Sequence, residues 1–190
     1  MVRLFGFLLA AWLMPVTASA VTIDFDDIGL MDGDLLDAPI DRVTFSLASG
    51  DDPIIVASSS AQTSPNSVGN GRRGVVTASD LVFTFASAVR DLSFYLSQET
   101  GDITVRLDFL AGGFDEEFLP FDGNRFGQEF FDFGGISGIS KVTISSSVAD
   151  NNYLVDTIAF TPVPLPPGIL LLAGGLAALG FVRRTSRAAT

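Results

Sequence analysis

The sequence predicts an all-β fold, an antiparallel β-sandwich or jelly roll, and three observations carry the prediction. Between Val21 and Phe160, apolar and polar residues alternate with a period of two in short runs, as half-buried strands do. Gly, Asp, Asn and Ser separate the runs, and these are the residues that turns favour. No stretch of this region carries a convincing helical period.

Taken in chain order, the first expected strand is Val21–Asp26 (VTIDFD), which alternates cleanly. Arg42–Leu47, Leu81–Phe85 and Val89–Leu96 follow. Ile103–Phe109 sets Ile103, Val105, Leu107 and Phe109 on one face against Thr104, Arg106 and Asp108 on the other. Glu129–Phe133, Ser140–Ser146 and Tyr153–Phe160 complete the set. Of 17 Phe residues all but Phe5, Phe7 and Phe181 fall in this region, so phenylalanine is expected to fill much of the core.

The two ends differ from this domain in composition. Residues 1–20 read as a secretory signal peptide: Arg3, an apolar run from Leu4 to Met14, Pro15, then Ala18-Ser19-Ala20. A run of that length is too short to span a bilayer, and the small residues suit signal peptidase. Cleavage is expected between Ala20 and Val21, with Ala18 and Ala20 as the recognition positions. It would remove Trp12, the only tryptophan.

Residues 162–190 form the other end. Pro162, Pro164, Pro166 and Pro167 make a stiff spacer. Gly168–Val182 is uncharged and precedes Arg183, Arg184 and Arg187. As a helix it would be about 22 Å long against a hydrocarbon core of about 30 Å, so it is expected to insert with mismatch as a short transmembrane helix. Arginines stay on the cytoplasmic side, which leaves residues 21–161 outside as the β-sandwich domain.

A Pro-rich motif, a short apolar helix and a basic cluster in that order resemble the PEP-CTERM sorting signal. Val163-Pro164-Leu165-Pro166 is most similar to its VPLPA-type variant, with Pro167 where that variant carries Ala and with Thr185-Ser186 interrupting the basic cluster. The resemblance covers about the last 28 residues. It implies processing by an exosortase-type sorting enzyme in a Gram-negative bacterium. The implied destination is the periplasmic face of the inner membrane, then the cell surface or the polysaccharide-rich biofilm matrix. The opening TIDFDD and closing VDTIAF also resemble the β-rich domains that precede such tails.

Charge and composition exclude several functions. There is no Cys and no His, hence no disulfide, no thiol nucleophile, no imidazole base and no ordinary zinc site. Four of the 11 basic residues lie in the ends while all 22 acidic residues lie between Asp24 and Asp156. The domain therefore carries 7 basic against 22 acidic residues, a net −15, and repels nucleic acid.

Most local motifs lack the context their chemistry needs. Gly69-Asn70-Gly71-Arg72-Arg73-Gly74 matches G-x-G-x-x-G, but the β-type Val75-Val76-Thr77 follows it where a phosphate site needs a helix. Asp122-Gly123-Asn124 begins like a calcium loop, yet Phe126 and Phe133 stand where oxygen ligands are required. Glu116 and Glu117 are a carboxylate pair of the kind glycoside hydrolysis uses, but neighbours on a strand face opposite ways. Lys141, the only lysine, makes no S-x-x-K motif with Ser137 or Ser140.

Two acids stand apart. Asp27 continues the face of Val21, Ile23 and Phe25, and Asp156 shares a face with Leu154, Ile158 and Phe160. First and last strands of a jelly roll commonly adjoin, so Asp27 and Asp156 are expected to meet and to hold a calcium ion, because a buried carboxylate needs a partner.

The main expectation is thus an exported, membrane-anchored or exosortase-processed surface or matrix protein with a non-catalytic β-sandwich. The alternatives are a calcium-assisted module binding extracellular polysaccharide and a carboxylate-based hydrolase. The Phe-rich stretch from Phe114 to Phe133 is read as core rather than as a ligand platform, since sugars stack on Trp or Tyr and only Tyr95 and Tyr153 are available.

Overall fold

The computed structural model describes residues 18–58, 62–63, 66–70, 79–98, 100–124, 127–148 and 151–164. The chain divides into a unit of residues 19–163 and a second unit of residues 1–18 and 164–190. Of the second unit only Ala18 and Pro164 are described, so the expected signal segment and transmembrane helix lie outside the described residues. So do Leu165, Pro166, Arg183 and Arg184. No helix among the described residues is long and apolar enough to cross a membrane.

Nine strands build the first unit: β1 Val21–Ile23, β2 Val43–Leu47, β3 Ile54–Ala57, β4 Asn66–Gly69, β5 Leu81–Gln98, β6 Ile103–Phe109, β7 Phe114–Leu119, β8 Gln128–Ser146 and β9 Tyr153–Pro162. All pairings are antiparallel. Hydrogen bonds join them in the order β3-β4-β9-β5-β8-β6-β7, with β1 added to β9 and β2 to β5.

That single network folds over on itself because β5 and β8 each serve two layers. The first leg of β5, Leu81–Phe85, pairs with β2 and with the second leg of β8. Beyond the second leg of β8 come β6 and β7, completing sheet I. The second leg of β5, from Val89 on, pairs with the first leg of β8 and with β9, whose far side carries β1 and β4. With β3 outside β4, these make sheet II.

The bend has a conformational cause. The β5–β8 register slips between Thr84 and Leu92, where Asp91 takes φ 52° and, on the facing strand, Gly135 and Gly138 take φ 82° and 88°. Gly135 has open space around its missing Cβ, so conformation rather than crowding calls for glycine there. The Asp91 carboxylate accepts the Gly135 N–H at 3.2 Å and ties the two corners. Bulges of this kind turn strands between packed sheets.

Ring contacts in the core reflect the doubling back. Phe83 and Phe94 lie on the same strand, and straight it would hold them about 36 Å apart; their rings meet at 6.0 Å. Around them a chain of rings crosses the interior, from Phe25 to Phe45 to Phe83 and from Phe94 to Phe131 and Phe133, with Phe85 on Phe160 closing the other end. Tyr153 adds a polar pin: its buried hydroxyl donates to the Ile144 carbonyl at 2.5 Å and accepts the Leu81 N–H at 2.9 Å. Burial pushes this hydroxyl far above the usual tyrosine range, so it stays neutral.

The expected all-β antiparallel sandwich is what the described residues form, and β1 does lie beside β9. The element boundaries differ in two ways. Leu81–Phe85 and Val89–Leu96 are one strand, as are Glu129–Phe133 and Ser140–Ser146, because bulges interrupt the alternation without breaking the ladder. In addition, β3, β4 and β7 have no clean alternation: β4 is buried throughout and β7 exposed almost throughout.

Candidate functional site

Among the described residues, the outer face of sheet I carries three ion pairs, Arg106–Asp108, Arg106–Glu116 and Lys141–Asp108. In β6 the buried Ile103, Val105 and Leu107 leave Thr104, Arg106 and Asp108 facing out. Register then decides their neighbours. On β7, Phe114, Glu116 and Phe118 stand opposite Asp108, Arg106 and Thr104. On β8, Lys141, Thr143 and Ser145 stand opposite the same three residues, and Thr84 of β5 lies beyond Lys141. Residues directly opposite across a ladder share a face, so four strands contribute to one surface.

Asp108 is the centre of that surface. Its Oδ1 accepts Arg106 Nη2 at 2.9 Å and Nε at 3.0 Å, and its Oδ2 lies 3.0 Å from Lys141 Nζ. Burial pushes the Asp108 carboxyl up, but the hydrogen bond from Arg106 and the positive charges of Arg106 and Lys141 outweigh it and hold the group below the usual carboxylate range. Arg106 is held on two further sides, by Glu116 Oε1 at 3.7 Å from Nη1 and by the Phe114 ring, whose centroid is 3.8 Å from Cζ. Ser140 donates its hydroxyl to the Asp108 carbonyl at 3.0 Å. A shallow groove of about 500 Å³ runs over Thr84, Arg106, Asp108, Phe114, Ser140 and Lys141.

Chemically this is a fixed array of donors and acceptors bordered by aromatic rings. A charged side chain held on several sides loses little freedom when a ligand arrives. An ionised Asp108 is an acceptor only, and a general acid for glycoside hydrolysis needs a carboxyl shifted the other way. The array suits hydrogen bonding to hydroxyls, while Phe114 and Phe118, 54% and 61% exposed, offer apolar surface beside it.

Those exposures correct the expectation that the Phe-rich stretch packs inside. It holds for Phe131 and Phe133, which are buried, and fails for Phe114, Phe118 and Phe130. Among the described residues β7 pairs with β6 alone and presents its Phe residues on the sheet's outer side. Phe130 alternates with the buried Phe131 and packs on Tyr95 at 4.8 Å on the outside of sheet II. Glu116 and Glu117 do face opposite ways, Glu116 toward Arg106 and Glu117 in register with the inward Val105.

The acids singled out for calcium are engaged differently. Asp27 is exposed in the turn after β1, which ends at Ile23, so the strand face that Asp27 would continue stops short of it. Asp156 is buried in β9 and finds its partners in hydrogen-bond donors: the Thr63 N–H at 2.7 Å, the Thr63 hydroxyl at 3.1 Å and the Thr157 N–H at 2.7 Å. Sequence reasoning misses Thr63, which is remote from Asp156 and sits on an otherwise featureless Ser-rich connection. Among the described residues no group of three or more acidic side chains is placed to hold a metal ion.

Of the sorting and processing positions, Ala18 is half-buried and Ala20 exposed just before β1 begins at Val21. Val163 is tied to the domain, its N–H donating to the Ala88 carbonyl at 2.8 Å. In the glycine motif, Asn70 is buried and structural: its side chain donates to the Asn151 carbonyl at 2.9 Å and accepts the Tyr153 N–H at 3.0 Å.

No family model matches the chain, and no curated protein matches it. Among solved structures it is similar to the K2 cleaved adhesin domain of Lys-gingipain, at 15% identity and TM-score 0.48, covering 75% of this chain and 99% of that one. It is also similar to a family 29 carbohydrate-binding module, at 14% identity and TM-score 0.41, covering 77% and 90%. A third is a family two carbohydrate esterase from Cellvibrio japonicus, at 12% identity and TM-score 0.41, covering 79% of this chain and 36% of that one.

Proposed function

We propose that residues 21–161 are a non-catalytic polysaccharide-binding module. One observation carries the reading: on the outer face of sheet I, Asp108 is clamped by Arg106 and Lys141 beside the exposed rings of Phe114 and Phe118. A sugar ring presents hydroxyls at its rim and C–H groups on its faces. Fixed charged donors and acceptors meet the first, and an aromatic ring meets the second. The module is exported and delivered to the cell surface or matrix by its two ends, as the order of Ala18, Ala20, Val163-Pro164-Leu165-Pro166 and the final arginines supports.

Affinity electrophoresis through gels containing polysaccharides tests the site. Retardation by at least one polymer, lost by about ten-fold or more in Arg106→Ala and Phe118→Ala, is the expected result. Retardation unchanged in both variants would remove the sheet I face from the reading. Repeating the run with chelator tests whether calcium assists. Fractionation of cells expressing the chain with and without its last 28 residues tests the anchoring: equal release of both forms into the medium would refute it.

A further inference from the structure

The sheet I face is electrically closed. Among the described residues its two cations, Arg106 and Lys141, are matched by two anions, Asp108 and Glu116, and each of these cations is paired with a carboxylate on the face. Of the guanidinium's five N–H donors, one on Nε and one on Nη2 go to Asp108, Nη1 stands 3.7 Å from Glu116 Oε1, and the Phe114 ring covers one plane, which leaves the remaining donors to neutral hydroxyls. A uronate or sulfate arriving here meets cations whose charge Asp108 and Glu116 already balance, so it gains little net attraction from the face.

Its surroundings are one-sided. Behind the β7 strand a second hollow of about 270 Å³ is lined by Asp115, Glu116, Glu117 and Asp132, with no basic residue among the described residues of its wall. The domain as a whole carries −15. The screening length is about 8 Å at physiological salt and grows as salt is lowered, so at low salt the domain's net negative charge opposes the approach of an anionic chain. Hydroxyls meet no such obstacle.

We infer that the sheet I face selects neutral polysaccharides and rejects anionic ones such as uronate-bearing or sulfated chains. This rests on the polysaccharide-binding reading of the same face.

The test holds the glycan backbone constant and changes only its charge. The mature domain is run by affinity electrophoresis against dextran, mannan and hydroxyethylcellulose, each beside its carboxymethylated or sulfated derivative. Expected is binding to at least one neutral polymer and about ten-fold weaker binding to its charged derivative at low salt. That gap should close to about three-fold or less in 0.5 M NaCl, because screening removes charge repulsion and leaves steric effects. Glu116→Gln, which gives the face a net positive charge, should narrow the low-salt gap by at least two-fold. A charged derivative that binds as tightly as its parent would overturn the inference, as would a gap insensitive to both salt and Glu116→Gln. Failure of every polymer, neutral and charged, would overturn the polysaccharide reading itself and the selectivity with it.

Discussion

Tyr153→Phe isolates one hydroxyl at the point where the two sheets are pinned. Tyr153 opens β9 in sheet II, while its hydroxyl accepts the Leu81 N–H and donates to the Ile144 carbonyl, both in sheet I. Leu81, Ile144 and Tyr153 are all essentially buried, so water cannot replace the lost group without opening the end of the sandwich. Leaving the Leu81 donor unsatisfied costs about 1–3 kcal/mol and losing the bond to Ile144 about 1 more, for a total near 3 kcal/mol. With a urea slope of about 2 kcal/mol per molar, the unfolding midpoint should fall by roughly 1–1.5 M at unchanged slope. Far-UV circular dichroism is the suitable readout, since the mature domain would have no tryptophan. Tyr95→Phe, on the outside of sheet II, is the control and should move stability by less than about 0.5 kcal/mol. A Tyr153→Phe midpoint within about 0.3 M of the parent would show that this hydroxyl does not fasten the sheets.

Three further outcomes follow from the same contacts. Phe94→Ala removes the ring that meets Phe83, Phe131 and Phe133 and should cost about 3–5 kcal/mol, read as a loss of thermal midpoint on calorimetry. Asp108 has its folded carboxyl below the unfolded value near 3.9, so its stabilisation is complete above that pH and is lost as pH falls through the lower folded value. Asp108→Asn should therefore flatten the dependence of the urea midpoint on pH below about 4, and a slope equal to the parent's would refute the clamp. Asp156→Asn weakens the hold on Thr63 and should speed proteinase K cleavage between β3 and β4; an unchanged cleavage rate would mean that Thr63 is held by something else.

Alternation makes the inward faces of β2, β6 and the legs of β5, β8 and β9 readable from residue order alone, because a two-residue period states which side of a sheet is buried. The same pattern sets Arg106 and Asp108 together on the outside of β6. Asp156 likewise reads as an acid in need of a partner, and it has one, but that partner is the Thr63 amide and hydroxyl, which no local pattern connects to it. Where alternation is absent, as in the fully buried β4 and the exposed β7, the strands themselves escape a sequence reading.

Residue type and spacing within a few positions thus suffice for the class of fold, the charge of the domain and the chemistry it lacks. They do not reveal that β5 and β8 run through both sheets. That depends on a bulge at Asp91 and facing glycines with positive φ, which redirect a strand without interrupting its ladder. Nor do they bring Lys141, Glu116 and Phe114 beside Arg106 and Asp108 on one face, which the folded chain does. Cross-strand register sets those neighbours, and shifting any ladder by one residue would turn its side chains to the opposite face.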